Sequence, residues 1–281
     1  MNALVDTPFE ACFLEGVRGR LFGLYFPAIG KTEGKLLCIP PFAEESNRCR
    51  VMLGQAARAL AQAGWATLIL DPYGCGDSEG AFEQADWSGW QADIDTGIEW
   101  LGELPGALGL WGTRLAALQV MQAAQRHRES VARVLLWQPV INGKQMFTQY
   151  LRLRVASSLE AFGRQESTKE LRERLEQGET LEIGGYYITP TLAAAIDHAG
   201  LPEPSALSGL RVDWLERVDE GKNQLGMGSR KCIDAWQKAG LDTRPVAFNG
   251  PPFWQLHERF LAPELVDKTL AALTQDARPD A

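Results

Sequence analysis

The stretch Leu108-Gly109-Leu110-Trp111-Gly112-Thr113-Arg114-Leu115-Ala116-Ala117-Leu118-Gln119-Val120-Met121 decides the fold. Its first four residues form a short apolar run of the kind found in a buried strand, and the run from Leu115 has the apolar density of a packed helix. Only a few residues join the two, which is the spacing of the G-x-S-x-G turn that lifts one side chain off a strand–helix junction. With Gly112 on the first glycine of that pattern, Arg114 falls on the serine and Ala116 on the second glycine, where a small residue permits close helix packing. Thr113 stands one residue early, and a sharp turn aims adjacent side chains in different directions.

Outward from this turn the chain alternates strand and helix. Gly19 to Phe26, Lys35 to Ile39, Trp65 to Leu70 and Val131 to Trp137 have strand character, and helical spacing fills Arg50 to Ala63 and Trp87 to Leu101. Such alternation predicts an α/β fold with a mostly parallel central sheet and helices on both faces. The rhythm stops after Asn142-Gly143, runs mostly helical with a break at Gly184-Gly185, and resumes at Leu210 to Glu216 and Pro245 to Phe248. The expected organisation is therefore a core made of residues 1–143 and 209–281 with an inserted helical lid at 144–208. The lid would lie over the carboxyl ends of the strands, where open α/β sheets bind ligands.

Composition narrows the function. The chain has 281 residues, is 45% hydrophobic and carries a net charge of −8. Nucleic acid is excluded as a partner, because phosphate binding needs clustered Lys and Arg, and here the basic residues alternate with acidic ones. Cys12, Cys38, Cys49, Cys75 and Cys232 are odd in number and lack paired spacing, which predicts reduced thiols, no metal site and a cytoplasmic setting. No export signal or membrane span is expected, since no segment approaches ~18 uninterrupted apolar residues. No cofactor is expected.

Asp71-Pro72-Tyr73-Gly74-Cys75-Gly76-Asp77-Ser78-Glu79-Gly80 follows the third of these strands. It matches a D-x-x-G-x-G-x-S-x-G turn common among α/β-hydrolases, in which the glycines allow a tight path and Asp and Ser bond within the loop. The whole chain resembles the α/β-hydrolase superfamily. More narrowly, it is similar to the second family of exosortase A system-associated hydrolases. That likeness is carried by Pro40-Pro41-Phe42-Ala43-Glu44-Glu45-Ser46-Asn47, Leu110 to Leu115, Gln138 to Lys144, Gly184-Gly185-Tyr186 and Pro252-Phe253-Trp254. It implies an α/β-hydrolase fold, an exosortase or exopolysaccharide setting, and an arginine at the turn as a family trait.

Residue chemistry then limits the mechanism. A guanidinium is neither nucleophile nor base at neutral pH, but its planar fork binds carboxylates and phosphates. Arg114 is thus the candidate site residue, facing either an anionic small molecule or an internal partner among Glu44, Glu45 and Glu258. In the usual order of nucleophile, acid and histidine, Glu216 or Asp219 would supply the acid and His257 the base. Phe42, Glu44, Glu45, Thr113, Trp254 and Glu258 are the expected substrate-binding residues. Three readings stay open: a hydrolase-like protein that is inactive or acts without a serine ester, an esterase or acyl transferase using an unconventional group, and a scaffold for a protein partner of the exosortase or exopolysaccharide system.

Overall fold

The computed structural model describes residues 7–222, 224–256, 258 and 260–274, with backbone alone at 160–162. Ten strands occur among them: β1 (Glu10–Glu15), β2 (Arg20–Phe26), β3 (Gly34–Ile39), β4 (Trp65–Leu70), β5 (Ala107–Thr113), β6 (Val131–Trp137), β7 (Leu181–Ile183), β8 (Tyr186–Ile188), β9 (Arg211–Arg217) and β10 (Asp242–Phe248). The helices are α1 (Glu44–Gln62), α2 (Trp87–Gly102), α3 (Ala116–Arg126), α4 (Gly143–Phe162), α5 (Thr168–Glu176), α6 (Pro190–His198), α7 (Met227–Lys238) and α8 (Pro263–Thr274).

Eight strands form one sheet in the order β1-β2-β4-β3-β5-β6-β9-β10, antiparallel at β1–β2 and β2–β4 and parallel from β4 onward. β3 and β4 are buried at every position, as a sheet covered on both faces requires. On one face Ile94 and Ile98 of α2, Val120 of α3 and Trp236 of α7 pack on Leu37, Leu110 and Trp214. On the other, Met52 and Ala56 of α1 and Leu265 of α8 pack on Cys38, Trp111 and Trp137. Trp137 is pinned there by its Nε1, which donates to Thr269 Oγ1 at 2.9 Å.

Three features depart from the sequence expectation. β1 is a strand whose residues are mostly exposed, so its apolar pattern is too weak to read without its partner β2. α1 begins at Glu44, not Arg50, because Ala43 takes a left-handed φ of 53° and turns the chain into the helix straight after Pro40-Pro41. The Gly184-Gly185 break is a β-hairpin joining β7 and β8, and both glycines have positive φ, 60° and 84°, as a two-residue hairpin turn demands.

Between β6 and β9 the chain runs through α4, α5, the hairpin and α6. These elements share a third cluster in which Phe147 and Leu151 of α4 and Ile188 of β8 meet Phe42 and Leu115 of the core. The inserted segment is therefore seated on the β3–α1 and β5–α3 junctions, at the carboxyl ends of the parallel strands. Among the described residues no helix is long and apolar enough to cross a membrane.

Candidate functional site

The site starts from the β5–α3 turn. At Gly112 any Cβ would lie 2.6 Å from Val120 Cγ2 and 2.7 Å from the Ala116 carbonyl, so only glycine lets α3 pass this close to β5. Arg114 at the apex has φ 58°, a conformation that costs a non-glycine residue about 1–3 kcal/mol and persists only where its surroundings enforce it. They do so here: the Arg114 amide donates to the Trp137 carbonyl at 3.0 Å, and its carbonyl accepts from Ala117 and Val140 at 3.1 Å each. The turn is thus strapped to the exit of β6, and it presents the side chain upward.

The guanidinium is held on two sides. Its Nε donates to both carboxylate oxygens of Glu45, at 3.2 and 3.3 Å, and Nη1 donates to the Gln138 carbonyl at 3.5 Å. The Trp254 ring lies 5.6 Å below its carbon, within cation–π range. Glu45 belongs to the first turn of α1, where the helix dipole favours a carboxylate. Burial nevertheless pushes the Glu45 carboxyl above its ordinary range despite the opposing pull of Arg114. Glu44 beside it is raised by burial too, and its Oε2 is buried without a hydrogen-bond partner.

These groups line a cavity of about 270 Å³. Its charged wall is Glu44, Glu45, Arg48 and Arg114. Its apolar wall is Trp254 with Met146, Tyr150 and Leu153 of α4. Arg48 is fixed by donating Nη1 to the Gln255 carbonyl at 3.1 Å, and Tyr150 by donating its hydroxyl to the Ile183 carbonyl at 2.8 Å. Phe42 is buried edge-on against Tyr150 and divides this cavity from a smaller one of about 70 Å³ reaching Cys75, Gln119 and Tyr186.

Arg114, Glu44, Glu45, Phe42 and Trp254, all expected from the sequence, are therefore brought together. Others are not. Thr113 is fully buried on β5 with an unpartnered hydroxyl and does not line the cavity. Glu216 spends both oxygens elsewhere, accepting from Trp214 Nε1 at 3.0 Å and from the Gly226 amide at 2.8 Å, so that it anchors the loop before α7. Asp219 is held by Lys222 and Arg217 on the surface, with its carboxyl below the usual range. Glu258 is exposed, leaving Glu45 as the carboxylate paired with Arg114. His257 lies outside the described residues.

Arg48 and Tyr150 are cavity residues that the sequence did not single out. The signal for Arg48 is its i,i+4 spacing from Glu44, which places both on one helix face; the apolar periodicity starts only at Arg50 and so hides it. Ser78 has the loop role expected of it, donating to the Asp71 carbonyl at 2.5 Å and accepting from the Phe22 amide at 2.8 Å.

No family model matches the chain, and no curated protein sequence matches it. Solved structures do. Est1E from Butyrivibrio proteoclasticus, solved with ferulic acid bound, superposes with a TM-score of 0.61 at 14% identity over 94% of this chain and 96% of that one. The alpha/beta hydrolase GrgF from Penicillium sp. sh18 gives 0.63 at 16% identity, covering 95% and 98%. A lipase in its open form gives 0.66 at 12%, also covering 95% and 98%. At such identities the likeness is one of architecture, and the chain has the α/β-hydrolase fold.

Proposed function

We propose that the protein binds a small anionic molecule at Arg114 and carries out no serine-ester chemistry, serving as a hydrolase-fold protein of a cytoplasmic exosortase- or exopolysaccharide-linked process. The observation that carries this reading is the guanidinium of Arg114 at the apex of the β5–α3 turn, facing a cavity of about 270 Å³. A serine there would need a base to lose its proton. Arginine instead offers a permanent charge and a planar fork to a carboxylate, sulfonate or phosphate. The wall opposite the charges is apolar, so the ligand that fits is an anion on an apolar body. The ferulic acid bound by Est1E, a carboxylate joined through a two-carbon alkene to an aromatic ring, is a ligand of that class and a suitable member of a test panel.

Thermal unfolding with a panel of carboxylates, sulfonates and phosphates tests this. A matching anion at one hundred times its dissociation constant should stabilise the protein by about 2.7 kcal/mol, and Arg114→Ala should abolish the shift. Activated short-chain esters and a fluorophosphonate probe supply the second arm, for which no turnover and no labelling are expected. Saturable turnover with one labelled residue would support an unconventional esterase. No shift across the panel would leave the partner-scaffold reading.

A further inference from the structure

Glu45 occupies the place on Arg114 that a ligand anion would take. It approaches the Nε edge with both oxygens at 3.2 and 3.3 Å, longer than a tight charge-assisted pair. With Glu44, Arg48 and Arg114 it makes a cavity wall of two negative and two positive groups. An anion entering beside an ionised Glu45 would leave three negative charges facing two arginines, in a pocket where burial already disfavours carboxylates. Exchange of the anion for Glu45 with uptake of one proton restores the balance of ligand and Glu44 against Arg48 and Arg114.

We infer that Glu45 is a built-in competitor for Arg114, that an anionic ligand displaces it, and that the displaced carboxyl takes up one proton from solvent. This rests on the proposal that Arg114 receives an anion. The groups facing Glu45 are Glu44, Arg48 and Cys49 from its own helix, Arg114 from the β5–α3 turn and Tyr150 from α4. Trp254 and Gln255 complete the wall without titratable groups, and Glu258 farther along that loop is exposed. Among these the Glu45 carboxyl is the one bonded to the Arg114 guanidinium, and burial raises it above the ordinary glutamate range. The arrangement makes affinity depend on pH: binding tightens as pH falls, by up to about tenfold per unit where a full proton is taken up.

Titration calorimetry with benzenesulfonate, whose charge is constant over the range, provides the test, run at about pH 5.5 and about pH 8 in two buffers of different ionisation heat. The wild-type protein should take up close to one proton per ligand and bind more tightly at the lower pH. Glu45→Gln should bind tenfold or more tighter than wild type at the higher pH, with no proton uptake. Wild-type binding without proton uptake, or loss of the uptake in Glu44→Gln with its retention in Glu45→Gln, would overturn the inference and leave anion binding at Arg114 standing. Absence of binding to both wild type and Glu45→Gln would overturn the two together.

Discussion

Two arginine–glutamate pairs, one at the turn and one in the inserted segment, show how differently the same chemistry can be set. In the inserted segment Glu166 is buried and takes Arg154 at 2.7 and 3.1 Å through a two-pronged contact, and Arg174 Nη1 at 2.5 Å. Those donors, Arg154 first, hold its carboxyl below the ordinary range. At the turn Glu45 has the single Nε of Arg114 at 3.2 and 3.3 Å, and burial wins over that contact. The first pair satisfies its charge completely and locks α4 to α5. The second leaves its carboxyl half-satisfied at a cavity wall, the condition of a contact that can be exchanged.

The comparison breaks if the two pairs prove equally important to stability. Glu166→Ala removes the buried carboxylate on which Arg154 and Arg174 converge and should cost about 3–5 kcal/mol, the scale of breaking a buried ion pair. Glu45→Ala should cost about 1 kcal/mol, because Arg114 retains Gln138, Trp254 and access to cavity water. Chemical denaturation followed by tryptophan fluorescence measures both, and equal losses would show that the turn pair is also structural.

The next effect concerns Arg114 itself. Arg114→Ser places a hydroxyl at the apex but leaves Glu45 and Glu44 facing an incoming oxyanion. We expect no measurable turnover of activated esters and a loss of more than ~1 kcal/mol. Ester hydrolysis that vanishes on adding His257→Ala would show that an otherwise complete catalytic set waits on the serine.

Backbone strain is separable from charge by comparing Arg114→Gly with Arg114→Ala. Both lose the ion pair, but only glycine relaxes at φ 58°, so the glycine variant should be the more stable by about 1 kcal/mol. Equal melting temperatures would mean that the turn rearranges freely.

The smallest effect is in the pH slopes, which should have opposite signs. Glu166, with its folded carboxyl lowered, contributes stability that is present above the ordinary glutamate range and lost as pH falls through the lowered value. Glu45, with its folded carboxyl raised, contributes most below that range and loses its contribution as pH rises toward the raised value. Unfolding free energies of Glu166→Gln and Glu45→Gln against wild type, measured from acid to neutral pH, should therefore diverge in opposite directions.

How much of this was legible depends on the range over which each feature is specified. The β5–α3 turn reads directly because Gly112, Arg114 and Ala116 lie within five residues and their roles are local. The alternation of strand and helix reads for the same reason. β1 did not, since an edge strand with one buried residue carries little pattern, and the β7–β8 hairpin did not, since three-residue strands are too short for periodicity to register. At the site, Glu216 looked available as an acid because it closes a strand at a suitable place. The hydrogen bonds from Trp214 and Gly226 that occupy it become visible only in three dimensions.

By itself the sequence determined that this chain is an α/β protein with an arginine at the apex of a strand–helix turn, because periodicity and glycine placement act over a few residues. The tertiary structure decided which of three glutamates meets that arginine. Glu45 lies sixty-nine positions from Arg114 in the chain, and the pair forms because β3 hydrogen-bonds directly to β5 and so delivers the start of α1 beside the turn. Glu258 carries the same carboxylate as Glu45 and is an equal candidate in the sequence. It remains exposed because partner choice across long separations is settled by strand order and packing, which no local pattern records.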